Sequence, residues 1–367
     1  MIGKANPRTA RAAVFHAASQ PLTLERFPLP ELKGGAALAR IRCATICGSD
    51  LHSFHGRRHA PTPSVLGHEM VGELAAFGPV GTRDFYGQPL SLGDRVTWSM
   101  VWSCGACFYC RRGLRPKCEQ LRKFGHEAIT PDLALCGGLA EYCYLPEKTA
   151  IFRLPPELPD LVASPANCAT ATVAAVARNA GELSGRHVLI HGAGMLGLTA
   201  CAMSAAHGAA SVIALEPSPE RRAQAQVFGA THVFDSVLPI SELCAMVREL
   251  TGGRGADVAL EFSGDPVAME AGIALLRPGG RFVLAGATYP ARPLALSGEQ
   301  VVRRLLQIIG VYNYEPKDLG YALRFLADQH QSRPFAQLVG CSFSLQEVNE
   351  ALAYATAQRP PRVAVMP

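Results

Sequence analysis

Four cysteines, Cys104, Cys107, Cys110 and Cys118, lie in the run CGACFYCRRGLRPKC, and their Cys-x2-Cys-x2-Cys-x7-Cys spacing constrains this chain more than any other feature. Thiolates so close in sequence can wrap one tetrahedral Zn²⁺, with Zn–S bonds of roughly 2.3 Å. An all-cysteine shell leaves no coordination position open, so this metal is structural. Cys43, Cys136, Cys143, Cys201, Cys244 and Cys341 are scattered without a pairing pattern and read as core or surface filler. Cysteines used in this way suit a reducing compartment, where thiolates are free to hold metal.

A chain of 367 residues is long enough for about two domains and for a large core without disulfides. The formal net charge of +5 is spread along the sequence. No Lys/Arg block has the aromatic interleaving of a nucleic-acid binder, so that class of partner is excluded. The N-terminal MIGKANPRTARAAVF is basic but lacks the apolar core of a secretory signal. No uninterrupted apolar run approaches the roughly 18 residues of a membrane span. The expectation is a cytoplasmic protein with no membrane partner.

The texture of the chain changes near residue 170. Before it, short β-like runs such as AAVFHA, ALARIRCA, EMVGELAAFG and DRVTW alternate with Gly- and Pro-rich turns, which predicts a β-rich body. After it, strands (HVLIHGAG, SVIALE, THVFD, ADVALEFSG, RFVLAGA) alternate with helices, among them DPVAMEAGIALLRPGG, which predicts βαβ units and a doubly wound parallel sheet. LLQIIGVY reads as the last strand of that sheet. The tail holds two helices and a final strand, RVAVMP, and is expected to return to the first domain. The expected boundaries are residues 1–169 with 314–367 for the first domain and 170–313 for the second.

Within the second domain, Gly192-Ala193-Gly194-Met195-Leu196-Gly197 follows the strand His187–His191. In such a G-x-G-x-x-G turn, Gly192 permits the tight bend and Gly194 lets backbone approach a pyrophosphate. Gly197 lets helix and strand pack closely, and the helix N-terminus at Met195 and Leu196 faces the phosphates. The next strand ends in Glu216, where an acid can accept hydrogen bonds from an adenosine ribose and repel a 2′-phosphate. NAD is therefore expected over NADP, with Arg221 five residues on from Glu216 either bonding the ribose hydroxyls or softening that choice.

A second group of metal-binding residue types is dispersed: Cys47-Gly48-Ser49-Asp50-Leu51-His52, then Gly67-His68-Glu69, then Cys168. Two cysteines and one histidine leave one position open, the arrangement of a catalytic zinc, though spacing alone cannot join such distant segments. With CGSDLH, GHEMVGE, the four-cysteine loop, GGLAEY, NCATATVAA and GAGMLG in this order, the chain resembles zinc-dependent alcohol dehydrogenases of the medium-chain dehydrogenase/reductase superfamily over essentially its whole length. The resemblance implies an α/β fold with a GroES-like, β-rich catalytic domain and a Rossmann domain, and a cleft between them for zinc and nicotinamide. It implies Cys47, His68 and Cys168 as ligands of a catalytic zinc, Asp50 as the residue orienting His68, and Glu69 as a neighbouring carboxylate that in some relatives moves onto the metal. It also implies Ser49 and His52 as a proton relay during hydride transfer between an alcohol and the nicotinamide, and Thr172 as packing behind that ring. Two zinc ions per subunit, NAD, and assembly as a homodimer or homotetramer complete the expectation.

By family position, the resemblance implies a substrate pocket lined by His55–His59, Trp98–Trp102 and the insert Arg122–Gly138. Arg57 and Arg58 cluster just after the relay residues, and guanidinium groups suit anions through paired hydrogen bonds. HSFHGRR, QLRKFGHEA and SPANCATATVAA also resemble a subfamily associated with phosphonate catabolism, which points to a small anionic alcohol or its carbonyl partner, such as a hydroxyalkylphosphonate. The alternatives are a dehydrogenase of neutral alcohols or polyols, with both arginines on the surface, and a non-catalytic NAD(H)-binding zinc protein acting as sensor or structural partner.

Overall fold

Residues 9–367 are described by the structure, a computed structural model. The stretch 1–8, part of the segment read above as lacking a secretory signal, lies outside them. The chain divides into two compact units, one running to Cys168 and resuming at Glu315–Pro367, the other Ala169–Tyr314.

The first unit is built around the strand Ala37–Ile46, in which only Arg40 and Arg42 reach solvent. It pairs antiparallel with Glu69–Phe77 on one side and with the C-terminal strand Arg362–Met366 on the other. The full order is Ile151–Arg153, Arg95–Trp98, Glu69–Phe77, Ala37–Ile46, Arg362–Met366, Val339–Ser344, with Tyr142–Leu145 also paired to Ala37–Ile46. A three-stranded sheet of Thr23–Pro28, Thr9–Phe15 and Ser64–Val65 accompanies it. Fully buried Phe15, Leu66, Met70, Trp98, Phe124 and Val365 belong to the shared core. Burying side chains of this size is worth roughly 1.5–3 kcal/mol each. Two register facts bear on function. Thr45 is opposite Glu69, and Val363 is opposite Ile46, so the last strand of the chain starts beside Cys47.

The second unit is a six-stranded, all-parallel sheet in the order His232–Phe234, Ser211–Leu215, His187–His191, Ala256–Glu261, Leu276–Leu284, Gln307–Gly310. Its central strands HVLIH and SVIAL are buried almost throughout, as strands covered on both faces must be. The order reverses between His187–His191 and Ala256–Glu261, so the crevice at their carboxyl ends is the topological switch point where such sheets bind nucleotides. This is the GroES-like and Rossmann combination expected above.

Several elements differ from the sequence reading. The helix expected over DPVAMEAGIALLRPGG ends at Leu275, and Leu276–Leu284 is strand. Pro278 disfavours helix at the residue before it, and Gly279 has a φ of +74°, outside the helical range. The short helix Gly48–Phe54 and the strand Val339–Ser344 were not expected at all.

Candidate active site

Ile46 ends its strand and Cys47 caps the helix Gly48–Phe54, with Asp50 Oδ2 accepting from the Cys47 N–H at 2.9 Å. Gly67, at φ +89°, turns the chain so that His68 and Glu69 enter the adjoining strand fully buried. Cys168 follows a 3-10 turn over Ser164–Asn167. These segments converge: a donor atom from each of Cys47, His68, Glu69 and Cys168 lies within 4.8 Å of all the others. Asp50 Oδ1 lies 3.2 Å from His68 Nδ1, so the imidazole N–H points to the carboxylate and the Nε2 lone pair is free for the donor set. Ser49 Oγ is 3.4 Å from that Nε2.

Arg362, which the sequence reading passed over, closes the set from the last strand. It is 5% exposed, donates to both oxygens of Glu69 at 2.6 Å, and reaches Cys47 Sγ at 3.5 Å. Thr45 Oγ1 donates to the same carboxylate at 2.7 Å. The only signal for Arg362 in the sequence is a lone cation at the head of an apolar terminal strand. Hydrogen bonding from Cys168 is the largest influence on Cys47 and lowers its thiol pKa, aided by Arg362, while Cys168 is raised in turn. Burial and Cys47 push Glu69 up to about 7 against the pull of Arg362. Two thiols and one imidazole with an oriented N–H, with both Glu69 oxygens engaged by Arg362 and Thr45, make a donor set that fits a catalytic Zn²⁺.

The four-cysteine loop forms a second donor set, Cys104, Cys107, Cys110 and Cys118. The Sγ separations are 3.5 Å (Cys104–Cys118), 4.0 Å (Cys104–Cys110) and 4.0 Å (Cys107–Cys118). A tetrahedron with roughly 2.3 Å metal–sulfur bonds has edges of about 3.8 Å, so these sulfurs fit a closed zinc shell. The N–H groups of Ala106 and Cys107 donate to Cys104 Sγ at 3.4 and 3.3 Å, and that of Gln120 to Cys118 Sγ at 3.3 Å. Backbone donors from Glu119 and Cys110 lower Cys107 to about 6. Such N–H groups stabilise thiolates, the form a metal requires.

In the second unit, Gly192 has a φ of +87°, and a Cβ on Gly197 would lie 1.7 Å from the Gly192 carbonyl oxygen, so only glycine fits there. A Cβ on Gly194 would meet nothing within 4 Å, which leaves backbone open to a ligand. The helix Met195–Ala206 starts at this turn, so Met195 and Leu196 form its first residues. Glu216 is buried and its Oε2 accepts from Ala193 N at 2.7 Å, bracing the glycine loop. Arg222 donates to the Glu216 and Pro217 carbonyls at 2.7 and 2.8 Å and so fixes the turn after the strand. Sequence reasoning singled out its neighbour Arg221, whose backbone N–H meets Ser218 Oγ at 3.3 Å. Thr172 stands in the helix Ala169–Ala180 of this unit.

The expected pocket residues separate. Arg57 is exposed and Arg58 half-buried. The insert comes against the donor set: a Cβ on Gly125 would fall 2.5 Å from the Gly67 carbonyl oxygen, and the His126 ring lies 5.2 Å from that of His68. Burial, then Lys123, His68 and Arg58, hold the His126 pKa well below its ordinary value, so the ring is neutral. Burial and then Arg58 lower Lys123 to about 8, with Cys168, Cys47 and Asp50 in partial opposition. Neither Lys123 nor His126 was singled out from the sequence, where they are two polar residues of a seventeen-residue insert (Arg122–Gly138).

Two family models match the chain: the alcohol dehydrogenase GroES-like domain over residues 33–156 and the zinc-binding dehydrogenase over 196–328. The L-threonine 3-dehydrogenase of Pyrococcus horikoshii is 35% identical over 291 residues, covering 77% of each chain. The 5-exo-hydroxycamphor dehydrogenase of Pseudomonas putida is 31% identical over 94% of each. The crystal structure of an alcohol dehydrogenase from Thermotoga maritima superposes with a TM-score of 0.91 at 28% identity, covering 98% of this chain and 99% of that one. The chain belongs to the zinc-dependent alcohol dehydrogenases of the medium-chain dehydrogenase/reductase superfamily. It is an oxidoreductase of that class, and membership implies zinc and a nicotinamide dinucleotide. No helix among the described residues is long and apolar enough to cross a membrane.

Proposed function

We propose that this protein transfers a hydride between a small anionic alcohol, such as a hydroxyalkylphosphonate, and NAD, giving an aldehyde or ketone. The observation that carries the reading is the open donor set of Cys47, His68 and Cys168, with Asp50 fixing the imidazole and Ser49 3.4 Å from its free nitrogen. A zinc ion held by Cys47, His68 and Cys168 would supply Lewis-acid polarisation of an alcohol oxygen, and a bound dinucleotide would supply the hydride acceptor. Ser49 takes the alcohol proton from beside the donor set. His52, half-buried, is kept neutral near pH 7 by burial and by Arg57, so it can receive that proton and exchange it with solvent. Glu69 and Arg362 form a neutral pair that holds Cys47 and the adjoining strands in place. The buried carboxylate of Glu216 beside the glycine loop favours NAD over NADP. The four cysteines of the loop hold the second, structural zinc.

Assembly as a homodimer or homotetramer belongs to the same proposal. The edge strand Gln307–Gly310 has one partner strand in the sheet, and Val302, Leu305, Ile308 and Tyr312 around it are exposed. Sedimentation would measure the state directly. The deciding experiment is a screen for NAD reduction across hydroxyalkylphosphonates, hydroxy acids, polyols and simple alcohols. Turnover restricted to neutral alcohols would overturn the anionic substrate, and equal turnover with NADP would overturn the cofactor preference.

A further inference from the structure

In the second unit, the amino ends of the strands His187–His191, Ala256–Glu261 and Leu276–Leu284 border a cavity of about 840 Å³ that is rich in guanidinium groups. Arg186, Arg248, Arg254 and Arg277 stand around it, and Asp257 is the only carboxylate among its described lining residues. That acid is already committed. Asp257 Oδ1 meets Arg277 Nε at 2.7 Å and Arg186 Nη1 at 3.5 Å, and Oδ2 accepts from the His187 N–H at 2.8 Å. Arg248 and Arg254 make no ion pair among the described residues. Four cations therefore face one space with one shared counter-charge, and a concave surface of a single sign gathers counter-ions.

Braced backbone presents these cations. Thr251 is buried after the helix Ile240–Leu250, where its Oγ1 donates to the Val247 carbonyl at 2.7 Å and accepts from the Gly255 N–H at 2.8 Å, closing the turn that carries Arg254. The Gly253 N–H donates to the Arg248 carbonyl at 2.8 Å and ties the end of the helix to the same turn. A Cβ on Gly255, at φ +104°, would lie 2.8 Å from the Leu275 carbonyl oxygen, so the turn sits hard against the chain that leads into Arg277. The cavity has the volume of an ordinary small-molecule site, roughly 300–1,000 Å³. Its lining contains no Phe, Tyr or Trp, and its only apolar side chain is that of Pro278, so a nucleotide base has nothing to stack on. It is also separate from the glycine turn, which follows the far end of His187–His191, a strand of five residues and roughly 16 Å.

We infer that this cavity is a second ligand site, for a compact polyanion bearing two or more phosphate or carboxylate groups. Guanidinium forks bind both kinds of group through paired hydrogen bonds. Arg248 and Arg254 supply the uncommitted forks, and Arg186 and Arg277, oriented by Asp257, supply their remaining N–H groups. The site is independent of the alcohol and of the metal chemistry proposed above.

The test is isothermal titration calorimetry of the full-length, zinc-loaded protein in saturating NAD, so that the glycine turn is occupied. The probes are fructose 1,6-bisphosphate and tricarballylate, with inorganic phosphate and acetate as single-group controls. At least one polyanion should bind about thirtyfold or more tighter than its control, as expected for additional charged hydrogen bonds, and should weaken as salt rises. Binding of the bisphosphate alone, of the tricarboxylate alone or of both supports the site and identifies the group it recognises. Arg248→Gln with Arg254→Gln should weaken that binding by about tenfold or more. The same variant should keep the wild-type turnover and melting temperature in the absence of polyanion. Equal affinity for polyanions and single-group controls overturns the site, as does polyanion binding that the double variant leaves unchanged. Tighter binding of a DNA duplex than of either compact polyanion, lost in the same variant, would make this face a surface for backbone phosphates and would overturn it too.

Discussion

The two sulfur-rich centres of this protein differ in how they are built. The Cys104–Cys118 loop takes all its donors from one short run, and its sulfurs are supported by backbone N–H groups of the same run. The second centre takes Cys47, His68 and Cys168 from three distant segments, and two of these donors are held by other side chains: Cys47 by Asp50 and Arg362, His68 by Asp50. A closed shell needs only that the loop fold around it. An open one needs its ligands fixed from outside, because the vacant position supplies no restraint. Side chains hold Cys47 and His68, whereas backbone N–H groups meet the loop sulfurs, and this contrast separates a site for chemistry from a site for stability.

That contrast can be broken most severely at the open centre. Ser49→Ala should lower turnover by about 10²–10⁴-fold, the usual contribution of a positioned proton-transfer group, with zinc content unchanged. Near-normal turnover in steady-state assays would remove Ser49 from the relay. Arg362→Met leaves Glu69 buried without its ionic partner, and breaking such a pair costs about 3–5 kcal/mol, or roughly 4–7 °C in melting temperature for a chain of this length. A calorimetric shift of a degree or less would mean that the pair is not needed to hold the centre. Cys104→Ser with Cys107→Ser should remove one zinc and destabilise the protein, yet leave the zinc and the supports at Cys47 untouched. Loss of both zinc ions in metal analysis would show that the two centres are not independent.

The smallest effect is on pH dependence. Lys123 has its pKa lowered to about 8, chiefly by burial and Arg58, against the opposing charges of Cys168, Cys47 and Asp50. It is charged below that pH and neutral above it. KM for an anionic alcohol should therefore rise as pH climbs through about 8, while KM for a neutral alcohol of the same size should not. Parallel profiles for the two substrates would show that Lys123 does not act on the bound anion.

The legibility of the molecule follows the distance over which its contacts are made. The four-cysteine loop and the glycine turn could be read because their residues are neighbours in sequence and each position has one physical reason, such as the 1.7 Å clash that bars a side chain at Gly197. The change from β-rich to alternating texture gave the two fold types, since burial on both faces leaves runs such as HVLIH. Arg362 could not be read, because its meeting with Glu69, 293 residues away in sequence, depends on the terminal strand pairing with Ala37–Ile46 in one register. Lys123 and His126 were hidden for a related reason: only the close approach of Gly125 to Gly67 brings that loop to the metal ligands. Arg222 and Arg221 are adjacent, and the helix starting at Pro219 decides which of them reaches the Glu216 carbonyl.

Zinc content measured together with activity in the wild type and in Cys47→Ala tests the division of labour between the two centres most directly. Two zinc ions per chain are expected in the wild type. The variant should keep one and lose alcohol-dependent NAD reduction by on the order of 10³-fold or more, the effect of losing several kcal/mol of Lewis-acid stabilisation. One zinc in the wild type, or a Cys47→Ala variant that turns over normally, would contradict the account.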